Sequence, residues 1–116
     1  MINFHNLKEI DLSCTHIKGD GLIYLKDIPR LQVISLIQSK VTDDGLKSVC
    51  YLKSPNLFID LGSTDITDKG LKHLETNTNL LSLMVGHTKT TAKGREELQK
   101  KLPSTNISVL SAEGGM

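Results

Sequence analysis

"GSTDITDKGL" fills residues 62–71, and a loose copy, "IQSKVTDDGL", fills residues 37–46. Two such segments rarely arise by accident, so the chain is first read for a longer period. Aligned on the glycine, Gly21, Gly45, Gly70 and Gly94 follow one another at steps of 24, 25 and 24 residues. Six residues before each glycine stand Thr15, Ser39, Thr64 and Thr88. Two residues after these hydroxyls come Ile17, Val41, Ile66 and Thr90. Three residues before them come Leu12, Leu36, Leu61 and Val85, and two further back Ile10, Ile34, Ile59 and Leu83. The columns hold their register through four copies.

Each copy predicts the same local structure. "LKEIDLS", "LQVISLI", "FIDLG" and "LLSLMVG" alternate around the Ile/Leu positions, the pattern of a short strand with one buried face. The hydroxyl residue then turns the chain. "TDDGLKSV" and "TDKGLKHL" open on Thr-Asp, residues suited to a helix N-terminus, and the aspartates are expected to cap short helices. Leu22 with Leu25, Leu46 with Val49 and Leu71 with Leu74 place one apolar stripe on each helix. One unit cannot bury its stripe alone, whereas stacked units can, which is the logic of a solenoid. The expected fold class is therefore α/β: about four strand–turn–helix repeats, with a parallel sheet on the concave side and helices on the convex side. The expected boundaries are one domain over 1–116. Its repeats fall near 7–30, 31–55, 56–79 and 80–103, with a C-terminal cap near 93–110 and a frayed tail at 111–116.

Composition narrows the function. The 116 residues suit one domain, and a chain of this length buries roughly 65% of its unfolded surface. With 14 basic and 13 acidic residues the net charge is +1, so no field favours nucleic acid or an anionic membrane. There is no Trp, and only two Tyr and two Phe, too few aromatics for a base-stacking platform. "MINFHNLKEI" carries no long apolar run after a basic start and no stretch is long enough to span a bilayer, so a cytoplasmic location is expected.

The pattern LxxLxLxxTxI in "LKEIDLSCTHI" resembles a leucine-rich repeat. The "ITDxGL" continuation resembles the cysteine-containing and ribonuclease-inhibitor-like types, as in bacterial repeat proteins built from such units. "GREELQKKLPSTNISVL" looks like their closing segment: a last helix, a Leu-Pro stop and a half strand. The resemblance implies a right-handed solenoid that binds a protein or peptide on its concave sheet. Departures are visible. "SPNLFIDLG" is one residue short before its strand. Thr90 and Arg95 replace apolar residues of the last repeat, and Asn77 stands where Ile28 and Leu52 are apolar. Phe4 stands three residues before Leu7, so "INFHN" looks like the tail of a missing helix.

The chemistry-bearing residues do not converge. Asp43, Asp44, Asp65 and Asp68 lack the spacing and closing Glu of a calcium loop, and capping or plain exposure is the simpler reading. His5, His16, His73 and His87 are scattered, without the convergence zinc needs. Cys14 and Cys50 have no histidine placed beside them, so neither reads as a nucleophile. The lysines fall among acids, as on a solvated face. Neither catalysis nor a cofactor or metal is expected.

The outward strand residues are the candidate site, and by alternation they line the concave face. They are Glu9, Asp11 and Ser13; Val33, Ser35 and Ile37; Phe58, Asp60 and Gly62; and Ser82, Met84 and Gly86. Val33, Ile37, Phe58 and Met84 are expected to form one apolar patch, with Glu9, Asp11 and Asp60 setting its polarity. Patches of this kind mark contact sites, although Val, Ile and Phe also favour strands for their own sake. The leading expectation is a non-catalytic protein-interaction module. The alternatives are a self-assembling homodimer that covers an open apolar end and, by resemblance, the substrate-recognition fragment of a ubiquitin-ligase receptor or bacterial effector.

Overall fold

The computed structural model describes residues 6–18 and 20–109. The readings placed on Phe4, His5, "INFHN" and the tail 111–116 lie outside the described residues. Five strands run parallel in one sheet, in chain order: β1 (Glu9–Asp11), β2 (Val33–Ser35), β3 (Leu57–Asp60), β4 (Leu80–Met84) and β5 (Asn106–Ser108). A parallel neighbour requires a crossover, and each repeat supplies one. Ile10, Ile34, Ile59, Leu83 and Ile107 pair in a single row, so the column read from sequence is a physical ladder.

The core lies between this sheet and the helices. Ile34, Ile59, Leu83, Leu36, Leu61 and Val85 are buried from the strands, and Leu22, Leu46, Leu71 and Leu98 from the helices. Each such side chain stabilises the fold by about 1.5–3 kcal/mol relative to exposure. The first repeat is less covered: Leu7, Ile10, Leu12 and Ile17 are only partly buried, while their equivalents in the second repeat are fully so.

The strand-to-helix turns obey one rule. Cys14, Gln38, Ser63 and His87, each just before the hydroxyl column, sit at φ 60, 58, 57 and 57°. Side chains rarely adopt this left-handed conformation, which strains an ordinary residue by about 1–2 kcal/mol. The neighbouring hydroxyl locks the turn. Thr15, Thr64 and Thr88 donate to the carbonyls of Leu12, Leu61 and Val85 at 2.6, 2.7 and 2.7 Å.

The crossovers differ along the chain. The first two are 3-10 helices, Asp20–Asp27 and Asp44–Tyr51. The later ones are α-helices, α1 (Asp68–Lys72) and α2 (Ala92–Lys101). Here the sequence reading needs correction, because Thr and not Asp caps the helix. Thr67 Oγ1 accepts from the Lys69 amide and Thr91 Oγ1 from the Gly94 amide, at 3.2 and 3.0 Å. The aspartate reaches forward instead. Asp43 accepts both the amide (2.8 Å) and the hydroxyl (2.7 Å) of Thr67 in the next repeat. Asp68 does the same for Thr91, at 2.8 and 2.6 Å. A short acid before a helix is locally a cap; 24 residues of stacking turn it into a staple between repeats.

Asn77 is buried at 2% exposure, although it fills a column that is apolar elsewhere. Its amide donates to the Val49 carbonyl at 2.9 Å, and its Oδ1 has no partner. Asp44 and Asp65 make only exposed ion pairs, with Lys47 (3.7 Å) and Lys89 (3.9 Å), which contribute little.

Candidate functional site: the concave sheet

The outward residues fall into register as neatly as the core. One row runs Glu9, Val33, Phe58, Ser82, Asn106, and a second runs Asp11, Ser35, Asp60, Met84, Ser108. Beyond the strands the backbone ladder continues. Cys14 donates to the Ile37 carbonyl (2.8 Å), Gln38 to that of Gly62 (3.0 Å) and Ser63 to that of Gly86 (2.9 Å). Ile37 therefore belongs to a third row with Ser13, Gly62 and Gly86. Asn106 and Ser108 extend the face by one strand that the sequence reading took only as a half strand.

Val33, Ser35, Ile37, Phe58, Ser82 and Met84 are half-buried, and Glu9 and Asp11 are exposed. The expected single apolar patch is divided. Val33 and Phe58 are direct register partners, but Ser35 separates Val33 from Ile37, and Asp60 lies between Phe58 and Gly62. Asp60 is also not presented to a partner as expected. It is 4% exposed, and its carboxylate accepts the Gly62 amide at 2.9 Å. Space explains the glycine beside it, since a Cβ on Gly62 would stand 3.1 Å from Asp60 Oδ1.

Asp11 makes the same local ring, accepting the Ser13 amide at 2.9 Å. That bond, backed by the Ser13 side chain, holds its carboxyl below the usual aspartate range, so the exposed end of the face stays negative. Ser13 in turn shares a 2.7 Å hydrogen bond with Ser35 across the strands. Along the rim, Cys14 Sγ donates to Gln38 Oε1 at 3.2 Å. Among the described residues, no group of His, Cys, Asp or Glu gathers as a metal site. Nor is any helix there long and apolar enough to cross a membrane.

One exposed apolar residue lies outside the rows that alternation predicts. The register shifts between Leu57 and Phe58, so that Leu57 pairs with Leu80 but Phe58 with Ser82. Leu81 has no counterpart on β3, and it stands in the repeat column of Lys8 and Gln32, just before the concave rows. It is 52% exposed on the strand beside Phe58. The signal is in the sequence: "SPNLFIDLG" is one residue short before its strand, which shifts the register against the next repeat and leaves Leu81 without a partner on β3.

A leucine-rich repeat family model matches residues 5–26 and 57–74. The chain has the leucine-rich repeat fold. No curated protein matches it by sequence. Two solved structures of similar leucine-rich repeat fold give the scale of the likeness. Actin-binding site 2 of leiomodin-1 is 16% identical, with a TM-score of 0.66 over 95% of this chain and 75% of that one. The tropomodulin C-terminal domain of Caenorhabditis elegans is 14% identical, with a TM-score of 0.66 over 93% of this chain and 76% of that one. At such identities the likeness is one of fold, and the leucine-rich repeat solenoid is what it carries.

Proposed function

We propose that this leucine-rich repeat protein is a non-catalytic interaction module whose single domain binds a protein or peptide along its concave sheet. The observation that carries the reading is the first outward row. Val33 and Phe58 stand side by side on adjacent strands, half-buried, with Ser82 beside Phe58 and the acids Glu9 and Asp11 at one end. An aromatic side chain held rigidly beside an apolar neighbour offers a partner a large contact area with little left to order. Phe58 and Val33 are the anchors, Met84 adds an adaptable contact, and Ser35, Ser82 and Ile37 border them. The acidic end selects a partner whose matching end is basic. The leiomodin segment of similar fold is an actin-binding site, which supports a protein-binding role and makes actin the first named partner to test.

The test is to pan a random peptide library on the full chain and measure the enriched peptides by fluorescence anisotropy. Phe58→Asp is expected to weaken them at least about tenfold with the fold intact by circular dichroism. Peptides that bind Phe58→Asp unchanged place recognition elsewhere.

A second reading rests on the less covered first repeat, where Leu7, Ile10, Leu12 and Ile17 are only partly buried. Self-association would cover them, and light scattering over a hundredfold concentration range would show a persistent dimer. Glu9 and Asp11 on the outer strand oppose simple edge-to-edge pairing of two copies.

A further inference from the structure

A cleft of about 330 Å³ opens at the edge where the strands begin, away from the concave rows, lined by Lys8, Pro29, Arg30, Gln32, Ser54 and Pro55. Its chemistry is one-sided. Arg30 offers a planar fork of N–H donors, Lys8 three more, Gln32 an amide and Ser54 a hydroxyl, and no carboxylate lines it. Among the described residues neither Lys8 nor Arg30 takes part in an ion pair, whereas Lys26, Lys47 and Lys89 do. The two prolines have no N–H and fixed φ, so they give stiff apolar walls. The floor is fixed as well. The Lys8 carbonyl accepts the amides of Gln32 (2.8 Å) and Val33 (2.9 Å), and Asn79 Nδ2 holds the Ser54 carbonyl at 2.8 Å.

We propose that this cleft binds a phosphomonoester. Two unit positive charges match the charge of about −1.5 to −2 that a phosphate carries at neutral pH, and its three oxygens can use more of the donors than a carboxylate can. The volume leaves room for the group that bears the phosphate. A second cleft on the same edge serves as the internal control. It is lined by Thr78, Lys101, Leu102, Pro103, Ser104 and Thr105, is about 230 Å³ in volume and carries a single cation.

The experiment is a ¹⁵N amide titration of the full chain with O-phospho-L-serine, L-aspartate and a short phosphoserine peptide. Phosphoserine is expected to shift the amides of Gln32, Arg30 and Ser54 saturably, with a Kd near about 1 mM. Arg30→Ala and Lys8→Ala should each weaken it about tenfold, the effect of losing one charged hydrogen-bond partner, and Lys101→Ala should not. All three side chains are exposed, and unchanged thermal unfolding will confirm that the variants fold. Tighter binding of the peptide assigns the phosphate to a protein partner, and equal binding assigns it to a small metabolite. The proposal is overturned if no saturable shift appears by about 20 mM, if L-aspartate binds as tightly, or if the Lys101 cleft responds equally.

Discussion

The two halves of the convex side are written in the same repeat and built differently. In the second half, Thr67 and Thr91 each receive a carboxylate from the repeat before them, and an α-helix follows each. In the first half, Thr42 leans on the Lys18 carbonyl, with its amide at 3.0 Å and its hydroxyl at 3.3 Å, and a 3-10 helix follows. Thr42 still accepts the Gly45 amide at 3.0 Å, so a cap alone does not separate the halves. The staple does. A carboxylate that takes both protons of the threonine fixes the direction of its lone pairs, and charge-assisted bonds are about twice as strong as neutral ones. Helix type in this chain therefore follows contact between repeats and not composition within them.

The sharpest way to break the stapled half is at its glycines. A Cβ on Gly70 would stand 2.6 Å from Asp43 Oδ1, and one on Gly94 would overlap the Asp68 carboxylate. Gly94→Ala is expected to destabilise by about 2–3 kcal/mol in urea unfolding. Gly21→Ala, whose Cβ would meet Ile17 at an ordinary 3.8 Å, is expected to be neutral or slightly stabilising. Equal effects at both positions would erase the distinction between the halves.

Next in size is the staple itself. Asp68→Asn should cost about 1 kcal/mol, a modest value because the site is half exposed. The Thr91 bonds hold the Asp68 carboxyl below the usual aspartate range. Its contribution is therefore complete above the unfolded pKa, and is lost as pH falls below about 4 toward the lower folded value. The Thr91 amide shift should follow that acid transition in the wild type and be flat in Asp68→Asn.

Two substitutions should strengthen the fold and sharpen the picture. Asn77→Leu removes an orphaned buried oxygen, and the Val49 carbonyl keeps its bond from the Leu52 amide at 2.9 Å. A gain of about 1 kcal/mol is expected, read as a higher urea midpoint at unchanged m. His87→Gly relieves a left-handed turn residue and should add about 0.5 kcal/mol, visible as a rise of a few degrees in Tm.

Sequence alone carried the period, the buried columns and the outward rows, because each is a local alternation repeated at fixed spacing. Ile10, Ile34, Ile59 and Leu83 pair as they align. What it missed depends on contacts across repeats. Asp43 was read as a cap because its partner Thr67 lies 24 residues away. Asp60 alternates outward like Asp11, yet it is buried where Asp11 is exposed. The cleft around Arg30 joins segments from the edges of two repeats, from Lys8 to Pro55, and no short window of sequence contains it.

The staple also has a direction. Asp43 reaches forward to a threonine, and Thr67 receives from behind, so each repeat presents an acceptor on one side and a donor on the other. A repeat of this chain is therefore a cassette with matching joints. A spliced copy of residues 42–66 placed between Ile66 and Thr67 would offer its Thr42 to the Asp43 carboxylate at its front and present its own Asp43 to Thr67 at its back. The molecule could thus be lengthened there, one repeat at a time, without redesigning either neighbour.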